Sequence, residues 1–132
     1  MFSYEKYEIR LESIGGLGAN LVGKLLGQLG AEYMELNAQS FASYGSEKRG
    51  SPVKAYIRYS NPDKEIRINC PVEKPDLLGI FNISLGGEEN VTAGVDEHTN
   101  IVVNTVLSPE ETRDRLKLYA GNLWCIDALG IS

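Results

Sequence analysis

The chain changes its hydrophobic period abruptly around residue 15, and that switch restricts it to few folds. Glu8-Ile9-Arg10-Leu11-Glu12 alternates polar with apolar, the period of a strand. Ser13-Ile14-Gly15-Gly16-Leu17-Gly18 breaks the alternation. From Asn20 onward Leu21, Leu25 and Leu29 recur at every fourth position, with Val22 and Leu26 beside them. That is the broad apolar stripe of an amphipathic helix, with Gly30 as its expected terminator. A strand passing through a glycine turn into a helix is the first half of a strand–helix–strand unit. Such units build parallel sheets covered by helices. Within the helix, Gly23 and Gly27 each weaken helix propensity by about 1 kcal/mol. They either permit close packing, against a sheet or a neighbouring subunit, or are merely tolerated.

The remaining segments continue the pattern. Tyr33 to Leu36 is expected to form a short strand, and Asn37 to Ser51 a long polar connector, of the length that usually has a function. Val53, Ala55, Ile57 and Tyr59 alternate with Lys54, Tyr56 and Arg58, which predicts a strand with one wetter face. Asn61-Pro62-Asp63-Lys64 is a turn, and Ile66-Arg67-Ile68 alternates again. Leu77 to Phe81, Ile101 to Asn104 and Leu123 to Asp127 are further strand candidates, Ile101-Val102-Val103 being apolar on both faces. Ser108-Pro109-Glu110-Glu111 has the capping residue, the proline and the glutamate of a helix start. The expected class is α/β: a three-layer, mostly parallel open sheet with helices on both faces and an antiparallel hairpin at 53–69. The 132 residues suffice for one domain with a core, and 1–132 is read as that single domain.

Charge narrows the partners. The net charge of −5 disfavours bulk attraction to nucleic acid or an anionic membrane, although a local basic patch can still hold one phosphate or carboxylate. No stretch approaches the roughly 18 apolar residues of a membrane span. Met1 to Lys6 lacks the form of a secretory leader, so a cytoplasmic location is expected. Cys70 and Cys125 either pair or, more plainly, sit as two buried thiols beside strands. With two cysteines, no Cys-x-x-Cys and a lone His98, the chain is not expected to hold a conventional iron–sulfur or zinc site by itself.

Two segments carry site chemistry. At the strand-to-helix turn, Gly15, Gly16, Gly18 and Asn20 bring free backbone N–H groups to a helix start, where they and the helix dipole attract an anion. The named motifs do not fit. Gly16 to Leu21 lacks the last glycine of the dinucleotide fingerprint, and Leu25 replaces the Ser or Thr that would meet magnesium in a phosphate loop. A ligand or protein contact and a purely structural turn both remain open. The second segment, Ser43 to Pro52, holds Tyr44, Glu47, Lys48 and Arg49. Arg49 there suits a bidentate carboxylate or phosphate contact, Glu47 can orient it, and Tyr44 offers a hydroxyl and a stacking face. The bland alternative is a solvated loop whose charges pair among themselves. Asp76 and Asp127 stand at strand ends as turn or ligand carboxylates, and Trp124 is read as a packing residue. No nucleophile–base pair is visible, so no catalytic residue is assigned.

The two segments together resemble the gamma subunit, or gamma domain, of the 2-oxoacid:ferredoxin oxidoreductases, which act on pyruvate, 2-oxoglutarate, branched-chain 2-oxoacids and related acids. The resemblance rests on Gly15-Gly16-Leu17-Gly18 with Val22-Gly23-Lys24-Leu25-Leu26. It extends to Tyr44-Gly45-Ser46-Glu47-Lys48-Arg49-Gly50, the Val53-to-Arg58 strand and Pro75-Asp76-Leu77-Leu78. Leu17 stands where the family commonly has glutamine, and Ser51 where a second glycine commonly follows Arg49-Gly50. Family domains usually continue for a few elements beyond the strand ending here at Asp127, so the chain looks short at its C-terminus. The resemblance implies a complex that decarboxylates a 2-oxoacid on thiamine diphosphate with Mg. It usually transfers the acyl group to coenzyme A, and passes electrons through [4Fe–4S] clusters to ferredoxin. It implies alpha and beta thiamine-binding subunits and a ferredoxin-like delta subunit as partners, with those cofactors held on them rather than on this chain. Gly15, Gly16 and Gly18 would then form a close-approach turn, and Tyr44, Glu47 and Arg49 an interdomain or ligand-facing loop.

Overall fold

The computed structural model describes residues 6–14, 19–44, 52–63, 66, 70–83 and 91–127. Alternation at the start of the chain produces β1 (Lys6–Ile14), and the leucine stripe produces α1 (Ala19–Gln28). β2 (Asn37–Tyr44), β3 (Pro52–Ser60), β4 (Leu77–Ile80) and β5 (Asn100–Asn104) follow. The chain then forms α2 (Pro109–Leu116) and β6 (Asn122–Ile126). The six strands make one sheet in the order β2-β3-β1-β4-β5-β6. β3 runs antiparallel to both β1 and β2, while β4, β5 and β6 follow β1 in parallel, so five of the six strands point the same way. α1 packs on one face through Val22 and Leu26, and α2 on the other through Leu116. This is the three-layer, mostly parallel arrangement expected.

α2 begins as its sequence dictates. Ser108 Oγ accepts from the Glu111 amide at 3.2 Å, and Pro109 opens the first turn. Its buried Leu116 joins Leu78, Ile80, Ile101 and Val103 in a core beneath β4 and β5. A second core lies under α1, where Ile9, Leu11, Ala55, Ile57 and Tyr59 meet the helix.

Several expectations change. Tyr33 to Leu36 is not a strand: α1 runs into a π-helical turn, Leu29–Tyr33, and the strand comes later, as β2, inside the stretch read as a connector. β2 lies at the rim of the sheet, where polar side chains are tolerated, and pairs with β3 from Asn37↔Ser60 to Tyr44↔Val53. Of the antiparallel hairpin expected at 53–69, the first strand is present as β3, and its antiparallel partners are β2 and β1. Ile66 belongs to no strand, and 67–69 lie outside the described residues. Gly23 and Gly27 do serve close packing: a Cβ on Gly27 would stand 3.1 Å from Ser40 Cβ, and one on Gly23 3.3 Å from Ala55 Cβ. Gly30 does not end the helix. It is buried in the π turn because a Cβ there would overlap the Tyr59 ring, and the Tyr59 hydroxyl donates to the Leu26 carbonyl.

A further change concerns the supposed wetter face of β3. Arg58 is 2% exposed and Tyr56 is buried. The register explains it: Glu8 faces Arg58, Arg10 faces Tyr56 and Glu12 faces Lys54 across β1 and β3. Arg58 Nε donates to Glu8 at 2.8 Å and Nη1 to Gln39 at 3.2 Å. Lys54 Nζ reaches both Glu12 oxygens at 2.7 and 2.8 Å. Arg10, 3% exposed, donates Nη1 to the Val72 carbonyl at 3.2 Å and Nη2 to the Val91 and Ala93 carbonyls at 3.1 and 2.7 Å. Its Nε lies 3.0 Å from Glu12 as an ionic contact that lacks hydrogen-bond geometry. Arg10 thereby holds two loops over the face opposite α1. Both cysteines are free: Cys70 is exposed rather than buried, with Arg58 donating toward its sulfur at 3.8 Å, and Cys125 is half-buried in β6.

Two stability changes are expected. Gly30→Ala forces a methyl into the Tyr59 ring and should cost about 1–3 kcal/mol. Arg10→Leu leaves Glu12 short of a cation and strands loop carbonyls, and should cost about 3–5 kcal/mol. Urea unfolding of each variant measures both; a loss well below 1 kcal/mol at either position contradicts the packing described.

Candidate functional site

Parallel strands end at a common edge, and open α/β sheets bind ligands outside the carboxyl ends of their strands. Here that edge is defined by Ile14 of β1, Tyr44 of β2 and Ile80 of β4. β3 starts from the same edge: Pro52 pairs with Ile14 and Val53 with Tyr44. Residues 15–18 join β1 to α1, and residues 45–51 join β2 to β3. Both segments therefore leave the sheet from strands flanking β3, two strand spacings or roughly 10 Å apart.

Gly15, Gly16, Gly18, Glu47, Lys48 and Arg49 themselves lie outside the described residues. Asn20 falls in the first turn of α1, and Tyr44 is the last residue of β2. The side chains of these two also lie outside the description. What is described is the common edge from which both segments depart.

Beneath that edge lies a charged array that the sequence reading did not single out. Glu12 is buried two residues before the end of β1, and Lys54 is partly exposed two residues after the start of β3. With Arg10 they form a chain of charges running from the mouth of the sheet toward its interior. Burial raises the Glu12 carboxyl above its ordinary range, against the opposing hydrogen bond and charge of Lys54 and the charge of Arg10. Burial likewise lowers the Arg10 guanidinium from its usual value. The readable signal was present: opposite charges at alternate positions of β1 and β3 match one another in antiparallel register.

The other singled-out residues separate from this edge. Asp76 lies at the amino edge, where its Oδ2 accepts from the Glu8 amide at 2.8 Å and its carbonyl accepts from the Asn100 amide at 2.9 Å. It joins the entrances of β1, β4 and β5. His98 is exposed, with Nε2 3.4 Å from Glu97, in keeping with a surface residue. Asp127 is exposed just past β6. Trp124 is 52% exposed and packs less than expected. Among the described residues, no group of three or more His, Cys, Asp or Glu side chains is placed to hold a metal ion. No described helix is long and apolar enough to cross a membrane.

Residues 8–132 match the family model described as pyruvate ferredoxin/flavodoxin oxidoreductase. The chain is 37% identical over 126 residues to the pyruvate/ketoisovalerate oxidoreductases common subunit gamma of Thermococcus kodakarensis, covering 95% of this chain and 66% of that protein. It is 34% identical to the pyruvate synthase subunit PorC of Methanocaldococcus jannaschii, covering 95% of this chain and 65% of that protein. The crystal structure of the pyruvate oxidoreductase subunit PORC of Thermotoga maritima superposes with a TM-score of 0.82 at 26% identity, over 97% of this chain and 65% of that one. The chain thus spans slightly less than two thirds of the length of these relatives.

The raised Glu12 carboxyl fixes the sign of a pH effect. A carboxyl whose folded value exceeds its unfolded one binds its proton more tightly in the folded chain. Its contribution to stability is full in acid and declines as pH rises from the unfolded carboxylate value through the raised one. Glu12→Gln removes that titration. Urea midpoints taken at stepped pH should show the stability of the natural chain, relative to the variant, declining from acid toward neutrality. A difference that grows in favour of the natural chain as pH rises contradicts the assignment.

Proposed function

Because the chain belongs to the pyruvate ferredoxin/flavodoxin oxidoreductase family, we propose that it serves as the gamma component of a 2-oxoacid:ferredoxin oxidoreductase complex. Its proposed task is to present the 15–18 turn and the 45–51 loop to a ligand or a partner subunit. The observation that carries this reading is the shared edge: both segments depart from the carboxyl end of the sheet, on strands separated by β3 alone.

Each proposed role follows from the chemistry of the group. Gly15, Gly16 and Gly18 allow a close approach to the start of α1, where backbone N–H groups and the helix dipole favour an anion. Asn20 adds a polar side chain in the first turn. Arg49, with Lys48 beside it and Glu47 to orient it, offers a planar donor pair for a carboxylate or a phosphate. Tyr44 closes the strand that leads into that loop. Thiamine diphosphate with Mg supplies the decarboxylation chemistry of such a complex, [4Fe–4S] clusters carry its electrons to ferredoxin, and coenzyme A receives the acyl group. A [4Fe–4S] cluster takes four thiolates, and this sequence has two cysteines, on separate parts of the fold. The cluster sites are accordingly assigned to a ferredoxin-like delta partner, and the thiamine site to alpha and beta partners. The whole assembly is assigned to the cytoplasm.

The β1–turn–α1 unit also favours a second reading, a stand-alone domain that binds a nucleotide or another anion. Calorimetry of the chain with coenzyme A, ATP and NAD separates the two. Binding of ATP or NAD in preference to coenzyme A supports the stand-alone domain.

Reconstitution tests the leading reading. Combined with thiamine-binding and cluster-bearing subunits, the chain is expected to enter a stable complex and to be needed for turnover. Arg49→Ala is expected to lower assembly or turnover at least tenfold while leaving the thermal midpoint of the chain within a few degrees. Full assembly and undiminished turnover without this chain would sink the proposal. Loss of folding alone, with normal turnover in the folded fraction, removes the role given to Arg49.

A further inference from the structure

A helix lying on a sheet needs one apolar stripe, turned toward the sheet. α1 has two. Val22 and Leu26 face the core, and Gly23 and Gly27 seat the helix against Ala55 and Ser40. At about 100° per residue, Leu21 and Leu25 point away from those glycines. Leu21, Leu25 and Leu29 are 62%, 54% and 44% exposed, and Tyr33 is 77% exposed.

These four side chains form one row. Residues four apart drift around an α-helix by about 40° per step. The row would wander off the outer face if α1 continued unchanged. Instead the Met34 amide donates to the Leu29 carbonyl at 3.1 Å and closes the π turn, Leu29–Tyr33. In that wider turn a four-residue step falls short of a full circle rather than overshooting it. Tyr33 therefore stays in line with the leucines. Single exposed leucines are ordinary, but a row of four large apolar side chains is not. Together they leave on the order of 500 Å2 of apolar surface in one patch, near the upper end for a monomer.

The order of residues along α1 selects the occupant. Lys24, Gln28 and Glu32 lie exposed along one flank of the row, and the Gln28 amide donates to Glu32 Oε1 at 3.4 Å. The pattern has a centre. Leu25 and Leu29 stand equally far from Gly27, as do Leu21 and Tyr33, and Lys24 and Glu32 stand equally far from Gln28. Consider a two-fold axis in the plane of contact, at right angles to the helix and level with that centre. It reverses the direction of a second copy and keeps each flank on its own side. Leu25 then meets Leu29 of the second copy, Leu21 meets its Tyr33, and two Lys24–Glu32 pairs form across the axis. A parallel pair would set Lys24 against Lys24 and Glu32 against Glu32. The antiparallel pair also opposes the two helix dipoles.

The packing geometry allows this match. Rows of side chains four apart are the ridges that interdigitate when two helices cross at about 50°. Lys24 and Glu32 each lie about 6 Å along the axis from the crossing point, within reach of long side chains. Two such patches bury together about 1,000 Å2, the least that a specific interface requires.

We infer that the outer face of α1 is a self-association surface, through which two copies of this chain pair in an antiparallel helix contact centred on Gly27 and Gln28. The contact uses none of the residues assigned to the carboxyl edge of the sheet, so it holds or fails independently of the function proposed above.

Sedimentation equilibrium of the chain over a range of concentrations reads the pairing. A reversible dimer is expected, with a dissociation constant on the order of 10 μM. Leu25→Glu, at an exposed position, should raise that constant about tenfold or more. Lys24→Glu and Glu32→Lys should each weaken the dimer severalfold by bringing like charges together. The double variant should restore the natural value. Circular dichroism of all four variants should match that of the natural chain. A chain that stays monomeric at about 1 mM overturns the inference. So does a dimer that Leu25→Glu leaves intact, because another face is then in contact. A dimer indifferent to the single charge reversals, or weakened by them and not restored by the double one, overturns the antiparallel match and the inference with it. Reconstitution with thiamine-binding and cluster-bearing subunits reads the competing occupant. If the chain alone is monomeric and Leu25→Glu blocks its entry into that complex, the row belongs to a partner subunit and not to a second copy.

Discussion

One buried guanidinium connects the parts of this fold. Arg10 lies in the middle of β1, the strand that joins the antiparallel half of the sheet to the parallel half. Its Nη atoms bind carbonyls at 72, 91 and 93, in the segments that lead toward β4 and β5, while Glu12 lies against its Nε. Desolvating an arginine is tolerable only where its donors are met and its charge opposed. The cross-strand ladder meets that need: Glu8 with Arg58 and Glu12 with Lys54 leave few charges on this face without a counter-charge. Over β1 the face opposite α1 is therefore closed by loops held through hydrogen bonds, while α2 covers the same face at β4 and β5.

Where periodicity and packing agreed, the sequence was readable. β1, α1, β4, β5, β6 and the capped start of α2 all follow from the spacing of apolar residues and from Ser108-Pro109. β2 did not, because a rim strand lying under a glycine-bearing helix needs small side chains more than apolar ones: Ser40, with Ala55 of β3, fills the space that Gly23 and Gly27 leave. Reading those glycines as packing residues would have pointed to such a partner. The charges of β3 misled for a related reason. Lys54 and Arg58 look like solvated residues until their register with Glu12 and Glu8 is known, and register is not visible within one strand. Ile101-Val102-Val103 was read as a strand apolar on both faces, yet Val102 is only half-buried.

The candidate site was legible in a different way. Strand ends are predictable from strand positions, so the common departure of the 15–18 and 45–51 segments follows once β3 is recognised as antiparallel. The chemistry of Gly15, Gly16, Gly18, Asn20, Tyr44, Glu47, Lys48 and Arg49 rests on residue type alone; what the strands place is the edge from which their segments depart. The Glu12–Lys54 pair beneath them was less accessible, since its meaning depends on burial. It gives the floor of this edge a carboxyl more easily protonated than a surface one.

The reversed direction of β3 also bears on how the sheet terminates. Its two outermost strands differ in kind. β2, at one margin, carries Asn37, Gln39 and Ser40, and such polar positions discourage the addition of a foreign strand. β6, at the other, is five residues long and carries Trp124 and Ile126. The shortness of β6 is then a safeguard, because it offers few free amides for an incoming chain to grip.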